Sequence, residues 1–198
     1  MFRRRPFRPP RFRLLGRRPP PPVAPRVRRA LRRAHEALER GDAAEAARIF
    51  RRLGEGAERR GMPVRAAIAF AEAAYAEAVG GEARRAVEEG GRAVEIGARL
   101  GRPARIAPAV GRVIEALRQG GHEAEAAELE ARLDAALEAA GTSRREVVDR
   151  LAAARRERRG QLPAKCEACG APLLPDEVEW HDDTTASCPY CGSPVKAV

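Results

Sequence analysis

The hydrophobic positions of residues 26–141 recur at three- and four-residue intervals, which is the spacing of amphipathic helices. Each apolar stretch ends at a glycine, and the next begins a few residues later. This pattern predicts three antiparallel pairs of helices. The apolar faces of the first helices cover 27–38, 64–78 and 106–117. Those of the second helices cover 46–53, 86–94 and 126–137.

The glycines between these stretches indicate a repeat with a 40-residue period. They form two series with that spacing, namely Gly41, Gly81 and Gly121, and Gly61, Gly101 and Gly141. Two similar pentads, 61–65 and 101–105, place Pro and Arg at the same distances from their glycine. A fixed period of ~20–50 residues is typical of repeat arrays, in which each unit packs on its neighbours. Many positions expected to face a neighbouring helix are small, among them Ala71, Ala74, Ala86, Gly90, Gly97 and Gly111.

One unit resembles the second half of a tetratricopeptide repeat. Gly41-Asp42-Ala43 is followed by Ala46, Phe50 and Leu53 at the spacing of that repeat. The resemblance is degenerate, because the period is 40 residues rather than ~34 and the aromatic residues of the first helix are absent. A HEAT-like repeat and a plain helical bundle are alternatives. The resemblance implies a concave groove, lined by the first helices, that holds a peptide or protein partner.

Residues 142–160 are predicted to form one further helix, which covers the open end of the array. Ser143 and Glu146 form a capping box at its start. Four arginines near its end suit the helix dipole, and an anion or RNA contact is the alternative explanation. They are Arg155, Arg156, Arg158 and Arg159.

All four cysteines lie in residues 161–198, as two Cys-x-x-Cys pairs separated by 18 residues. A tight turn within each pair directs both sulfurs at one point, and the glycine after each pair permits the bend. Two such turns supply the four thiolates that structural Zn²⁺ prefers, so Zn is the predicted cofactor. A redox dithiol is disfavoured because no surrounding α/β fold is predicted, and disulfides because no secretory signal is found. The predicted ligands are Cys166, Cys169, Cys188 and Cys191.

This segment resembles a zinc ribbon, with short β-strands between the cysteine pairs. The sequence Pro-Asp-Glu-Val-Glu-Trp, at 175–180, is similar to that of C-terminal zinc ribbons in uncharacterised bacterial proteins. The resemblance implies no catalytic activity. A four-cysteine site is closed to substrate, so the metal is predicted to be structural. Without it we expect residues 161–198 to unfold, whereas the helical array keeps its own core.

The net charge of +10 is concentrated at the N-terminus. Residues 1–33 contain thirteen arginines and no acidic residue. The rest of the chain is slightly acidic, and residues 161–198 have a net charge of −4. Dense prolines in residues 1–25 predict a disordered, extended tail. It lacks the apolar stretch of a secretory signal, so the protein is predicted to be cytoplasmic. Arginine in place of lysine and the lack of asparagine indicate a GC-rich bacterial genome.

These features predict a non-enzymatic adaptor that binds a protein partner. The three histidines are far apart and no phosphate-binding loop is present, which argues against catalysis. Trp180 and Tyr190 are candidate partner contacts, unless they pack the ribbon core. The alternative function is association with nucleic acid or the ribosome, and a third is binding to anionic lipid. Both would use the tail, whose candidate anion contacts are Arg3, Arg4, Arg5, Arg8, Arg11 and Arg13.

Overall fold

The structure is a computed structural model that describes residues 24–157, 161–175, 177–182 and 184–197, without the side chains of 154–157. Within these ranges the chain forms seven α-helices and one short 3₁₀ segment, Pro103–Arg105. The helices are α1 (Pro25–Glu39), α2 (Ala43–Glu58), α3 (Pro63–Val79), α4 (Ala83–Arg99), α5 (Ala107–Gln119), α6 (Glu123–Ala139) and α7 (Arg144–Glu157). The first six match the six predicted amphipathic stretches, and α7 lies within the predicted 142–160 helix.

The helix ends follow from local sequence. Each connection between successive helices contains one glycine with a φ between 63° and 80°, a left-handed conformation that glycine adopts without steric cost. At the start of α2, the Glu45 amide donates to Asp42 Oδ1 over 3.0 Å. At the start of α7, the Glu146 amide donates to Ser143 Oγ over 3.3 Å. Both side chains satisfy an amide that the first helical turn leaves unpaired, and for Ser143 the sequence predicted this role.

Small residues allow the helices to approach closely. Glycines of α2 and α4 lie directly against large core side chains, with Gly54 facing the Phe70 ring and Gly90 facing Leu129. Helix α3 is buried on most of its surface and consists largely of alanine. Gly111 was also predicted to face a neighbouring helix, but a methyl group added there would meet nothing within 4 Å.

The C-terminal part is a small antiparallel sheet. Its strands are β1 (Glu179–Trp180), β2 (Thr185–Ser187) and β3 (Pro194–Lys196), in the order β1-β2-β3. The first two strands lie between the cysteine pairs, as predicted, and β3 was not predicted. A mainly helical chain with a small C-terminal β module is therefore confirmed. We call residues 161–197 the cysteine module.

The cysteine module does not have a core separate from the helices. Leu31 of α1 and Phe50 of α2 belong to the same buried cluster as Cys166, Leu173 and Tyr190. The helical array also has the core of its own that the sequence predicted, because a second buried cluster, which includes Phe70, Val110 and Leu133, contains no residue of the module. The module has few apolar residues and completes its interior against the helices. In the described ranges, no helix combines the length and apolar character needed to cross a membrane.

Candidate metal centre and its contacts with the helices

Two turns with the same pattern of backbone hydrogen bonds hold the four cysteines. In the first turn, the Cys166 amide donates to the Ala171 carbonyl and the Gly170 amide donates to the Cys166 carbonyl, each over 2.8 Å. In the second, the amides of Cys188 and Gly192 make the equivalent bonds over 2.9 and 2.8 Å. Gly170 and Gly192 have φ values of 75° and 70°, which allows the chain to turn back. Both turns therefore present two thiols to one interior point.

The four sulfur atoms lie within 4.8 Å of one another, and all four cysteines are buried. Cys166 Sγ is 3.7 Å from Cys191 Sγ, and Cys169 Sγ is 3.8 Å from Cys188 Sγ. Hydrogen bonds between the thiols lower the pKa of Cys166 and Cys191, and the same proximity raises the pKa of Cys169 and Cys188. The thiols therefore cannot ionise independently, and four buried cysteines at this distance could bind a metal ion.

The first turn is attached to helix α1. Arg32 Nη2 donates to the backbone carbonyls of Glu167 and Ala168, over 3.4 and 3.1 Å. Lys165 forms an ion pair with Glu39 at the end of the same helix. These contacts hold the backbone of the turn but leave its sulfur atoms free to face inward.

The second turn is attached to helices α3 and α5 through a buried polar group. The Tyr190 hydroxyl donates to Glu72 Oε1 over 2.9 Å, and Arg112 Nη2 donates to the same oxygen over 2.5 Å. Arg112 also donates to the Tyr190 hydroxyl over 3.1 Å, and its Nε lies 3.7 Å from Glu177 Oε1. Glu72 is only 2% exposed, so its carboxylate depends on these two donors.

The environment of this group changes the pKa values of its members. Burial raises the pKa of Tyr190 well above its ordinary value, and the Glu72 carboxylate raises it further. Burial alone disfavours the charged form of Arg112, but Glu72, Tyr190 and Glu177 together raise its pKa. At neutral pH the tyrosine therefore stays a proton donor and the arginine stays a cation.

The contacts with the cysteine module recur along the helices at a regular interval. Arg32, Glu72 and Arg112 are spaced by 40 residues, lie one each on α1, α3 and α5, and all contact the module. Arg105, in the second of the two pentads, lies 3.6 Å from Glu179 of β1. The side of α1, α3 and α5 that faces the module is called the first-helix face below. Next to these contacts is a cleft of about 460 Å³ between the helices and the module.

His35 of α1 lies beside the second turn. Its Nδ1 is 2.8 Å from the Leu31 carbonyl and its ring packs edge-on against Phe50 and Tyr190. Its Nε2 is buried without a hydrogen-bond partner among the residues the structure describes. Burial lowers the pKa of His35, so the ring is neutral at pH 7.

The two aromatic candidates for partner binding lie within the module. Tyr190 is 7% exposed and engaged with the helices. Trp180 is partly buried against the module core, and its Nε1 donates to the Pro175 carbonyl over 2.9 Å. The candidate anion contacts of the tail lie outside the described residues; they are Arg3, Arg4, Arg5, Arg8, Arg11 and Arg13.

Sequence reasoning did not identify Arg32, Glu72 or Arg112 as contacts of the module. Their 40-residue spacing was visible, but the cysteine segment is remote in sequence and no pattern indicated that it packs on the helices. No family model matches this chain, and comparisons with curated proteins and with solved structures also gave no match. The tetratricopeptide and zinc-ribbon resemblances rest on the residues alone.

Proposed function

We propose that the four cysteines bind one structural zinc ion. A tetrahedral site with Zn–S bonds of about 2.3 Å places its sulfur atoms about 3.8 Å apart. Two of the sulfur pairs are separated by 3.7 and 3.8 Å, and all four sulfur atoms lie within 4.8 Å of one another. Four thiolates fill the coordination sphere, which leaves no position for a substrate. The role of the metal is thus to fold residues 161–197 and to fix Tyr190, which lies between two of its ligands.

The test of this proposal is the metal content of the purified chain. We expect about one zinc per chain by elemental mass spectrometry and almost none in Cys166→Ser. His181→Ala is the matched control, because this exposed side chain lies in the module but its Nε2 is 2.6 Å from Ser187 Oγ rather than at the cysteines. A wild-type chain free of zinc after zinc-supplemented expression would contradict the assignment.

We further propose that the protein is a non-enzymatic scaffold built from helix-pair repeats with a 40-residue period. The observation that carries this proposal is the position of Arg32, Glu72 and Arg112. Equivalent residues of three successive first helices contact one polypeptide segment, which is how repeat arrays hold extended ligands. The tetratricopeptide resemblance supports the same arrangement, because it implies a binding groove lined by first helices.

Affinity purification of the full chain, followed by mass spectrometry at two salt concentrations, tests the scaffold function. We expect a protein partner that remains bound at the higher salt concentration. Recovery of nucleic acid alone, lost as salt is raised, would instead favour the tail-based alternative. Removal of residues 1–25 separates the two, because it should leave a protein partner bound.

A further inference from the structure

We infer that a second cleft, between α5, α7 and the cysteine module, binds an elongated apolar molecule that carries one anionic group. Its volume is about 620 Å³, which lies within the range of small-molecule sites. The cleft borders the first-helix face at Arg112, which is one of its lining residues. It is a space between elements, so a ligand enters it while the module stays in place. The inference depends on neither the metal nor the scaffold function.

The walls of this cleft are largely apolar and come from four parts of the chain. The apolar lining residues include Pro108 and Ile114 of α5, Leu133 of α6, Val147 and Leu151 of α7, and Leu174 of the module. On α5 the lining positions run from Ala107 to Arg118, and a rise of 1.5 Å per residue makes this about 16 Å along the helix axis. The cleft therefore suits a long, narrow apolar molecule.

Two residues of the cleft are unusual for their positions. Gly111 lies inside α5, where glycine is less favourable than alanine, yet a methyl group added there would meet nothing within 4 Å. Gly54 and Gly90, by contrast, are packed against side chains. Val148 is 61% exposed, which makes it the most exposed large apolar side chain in the described part of the protein. The missing side chain at position 111 keeps the cleft open, and Val148 adds apolar surface at its edge.

The charged residues of the cleft favour an anion. Those that the structure describes are four arginines and three acidic residues, namely Arg112, Arg118, Arg144, Arg145, Glu115, Asp149 and Glu177. Three of the arginines donate hydrogen bonds to carboxylates. The side chain of Arg145 is instead 92% exposed, and its Nε lies 4.0 Å from Asp149 Oδ2, which is too far for a charged hydrogen bond. Its guanidinium is therefore the group that pairs with a carboxylate of the ligand.

Isothermal titration calorimetry of the full chain with decanoate tests the inference. We expect about one decanoate to bind per chain. The charge-reversed amphiphile decyltrimethylammonium should bind about tenfold more weakly, because its cation meets an arginine. No binding of decanoate, or equal binding of the two amphiphiles, would overturn the inference. So would binding to vesicles of anionic phospholipid without binding to decanoate, because that result would indicate attachment to a membrane surface.

Two neighbouring alanines of α7 provide a matched pair of substitutions. Ala152 is half-buried and lines the cleft, whereas Ala153 is exposed. Ala152→Leu should fill the cleft and weaken decanoate binding about tenfold or more, whereas Ala153→Leu should leave binding unchanged. Equal effects of the two substitutions would place the bound molecule elsewhere and overturn the inference.

Gly111→Leu fills the cleft from the α5 side and is the second variant if Ala152→Leu loses helical circular dichroism. We expect the same loss of binding. Arg145→Gln should weaken binding several-fold, whereas Arg85→Gln should not, because this exposed guanidinium of α4 lies 3.8 Å from Glu82 and outside the cleft. Full binding in Gly111→Leu, or equal binding in the two arginine variants, would contradict the assignment.

Discussion

Gly54 and Gly111 both lie inside helices, yet their replacement by alanine is expected to change stability in opposite directions. A methyl group added at Gly54 would lie 2.6 Å from Phe70 Cε1 and less than 3.0 Å from two other atoms of that ring. At Gly111 it would meet nothing within 4 Å. The two substitutions are chemically identical, so the difference between them measures close helix packing.

The magnitudes follow from two opposing effects. In a helix interior, alanine is more favourable than glycine by about 0.8–1 kcal/mol. At Gly54 the overlap with Phe70 opposes this gain, and the ring has little room to move because it is fully buried and Arg92 lies 3.9 Å from its centroid. Overpacking of this kind costs about 1–3 kcal/mol. We expect Gly54→Ala to lower the free energy of unfolding by about 1 kcal/mol and Gly111→Ala to raise it by roughly 0.5–1 kcal/mol.

Urea unfolding of the zinc-loaded chains, followed by circular dichroism at 222 nm, gives both free energies. Equal m-values are needed for the comparison, because a changed slope would indicate a different unfolding reaction. Stabilisation by both substitutions would show that helix propensity dominates and that the approach of α2 to Phe70 is not tight. Destabilisation by both would show that Gly111 faces a packed neighbour.

Three further predictions concern the polar contacts and the turns. Tyr190→Phe removes a hydrogen bond to the buried Glu72 carboxylate and should lower the free energy of unfolding by about 1–3 kcal/mol in urea titrations. Its zinc content should equal that of the wild-type chain. An unchanged free energy of unfolding would mean that the hydroxyl does not stabilise Glu72. Because burial lowers the pKa of His35 below 6.5, the unfolded chain takes up this proton at a higher pH than the folded one. The free energy of unfolding should thus decline as pH falls below 6.5, by at most about 1.4 kcal/mol per pH unit. The decline should be less steep in His35→Gln, and equal pH dependence in the wild-type and variant chains would refute this prediction. Gly121→Ala, at a φ of 79°, should cost about 1–2 kcal/mol in the same assay, and a neutral effect would contradict the left-handed turn.

The helices could be predicted because their determinants are local. Apolar spacing, a cap such as Asp42 and a glycine after the last turn act within a few residues of each other. The cysteine site was predictable for the same reason, since each Cys-x-x-Cys-Gly turn is formed by its own backbone bonds. The strand β3 was missed because strands were predicted only between the two cysteine pairs, whereas Pro194–Lys196 follows the second pair and is held by pairing with β2.

The sequence by itself determined the number of helices, the turns between them and the four cysteines that form one cluster. These features depend on neighbouring residues along the chain. Only the tertiary structure decided that the cysteine module lies against α1, α3 and α5. That choice depends on Arg32 and Glu72, which meet residues 118 to 136 positions away. Their own surroundings in the sequence resemble those of ordinary charged helix positions. Burial and charge complementarity between distant segments are properties of the folded chain, and they appear only when the segments are brought together.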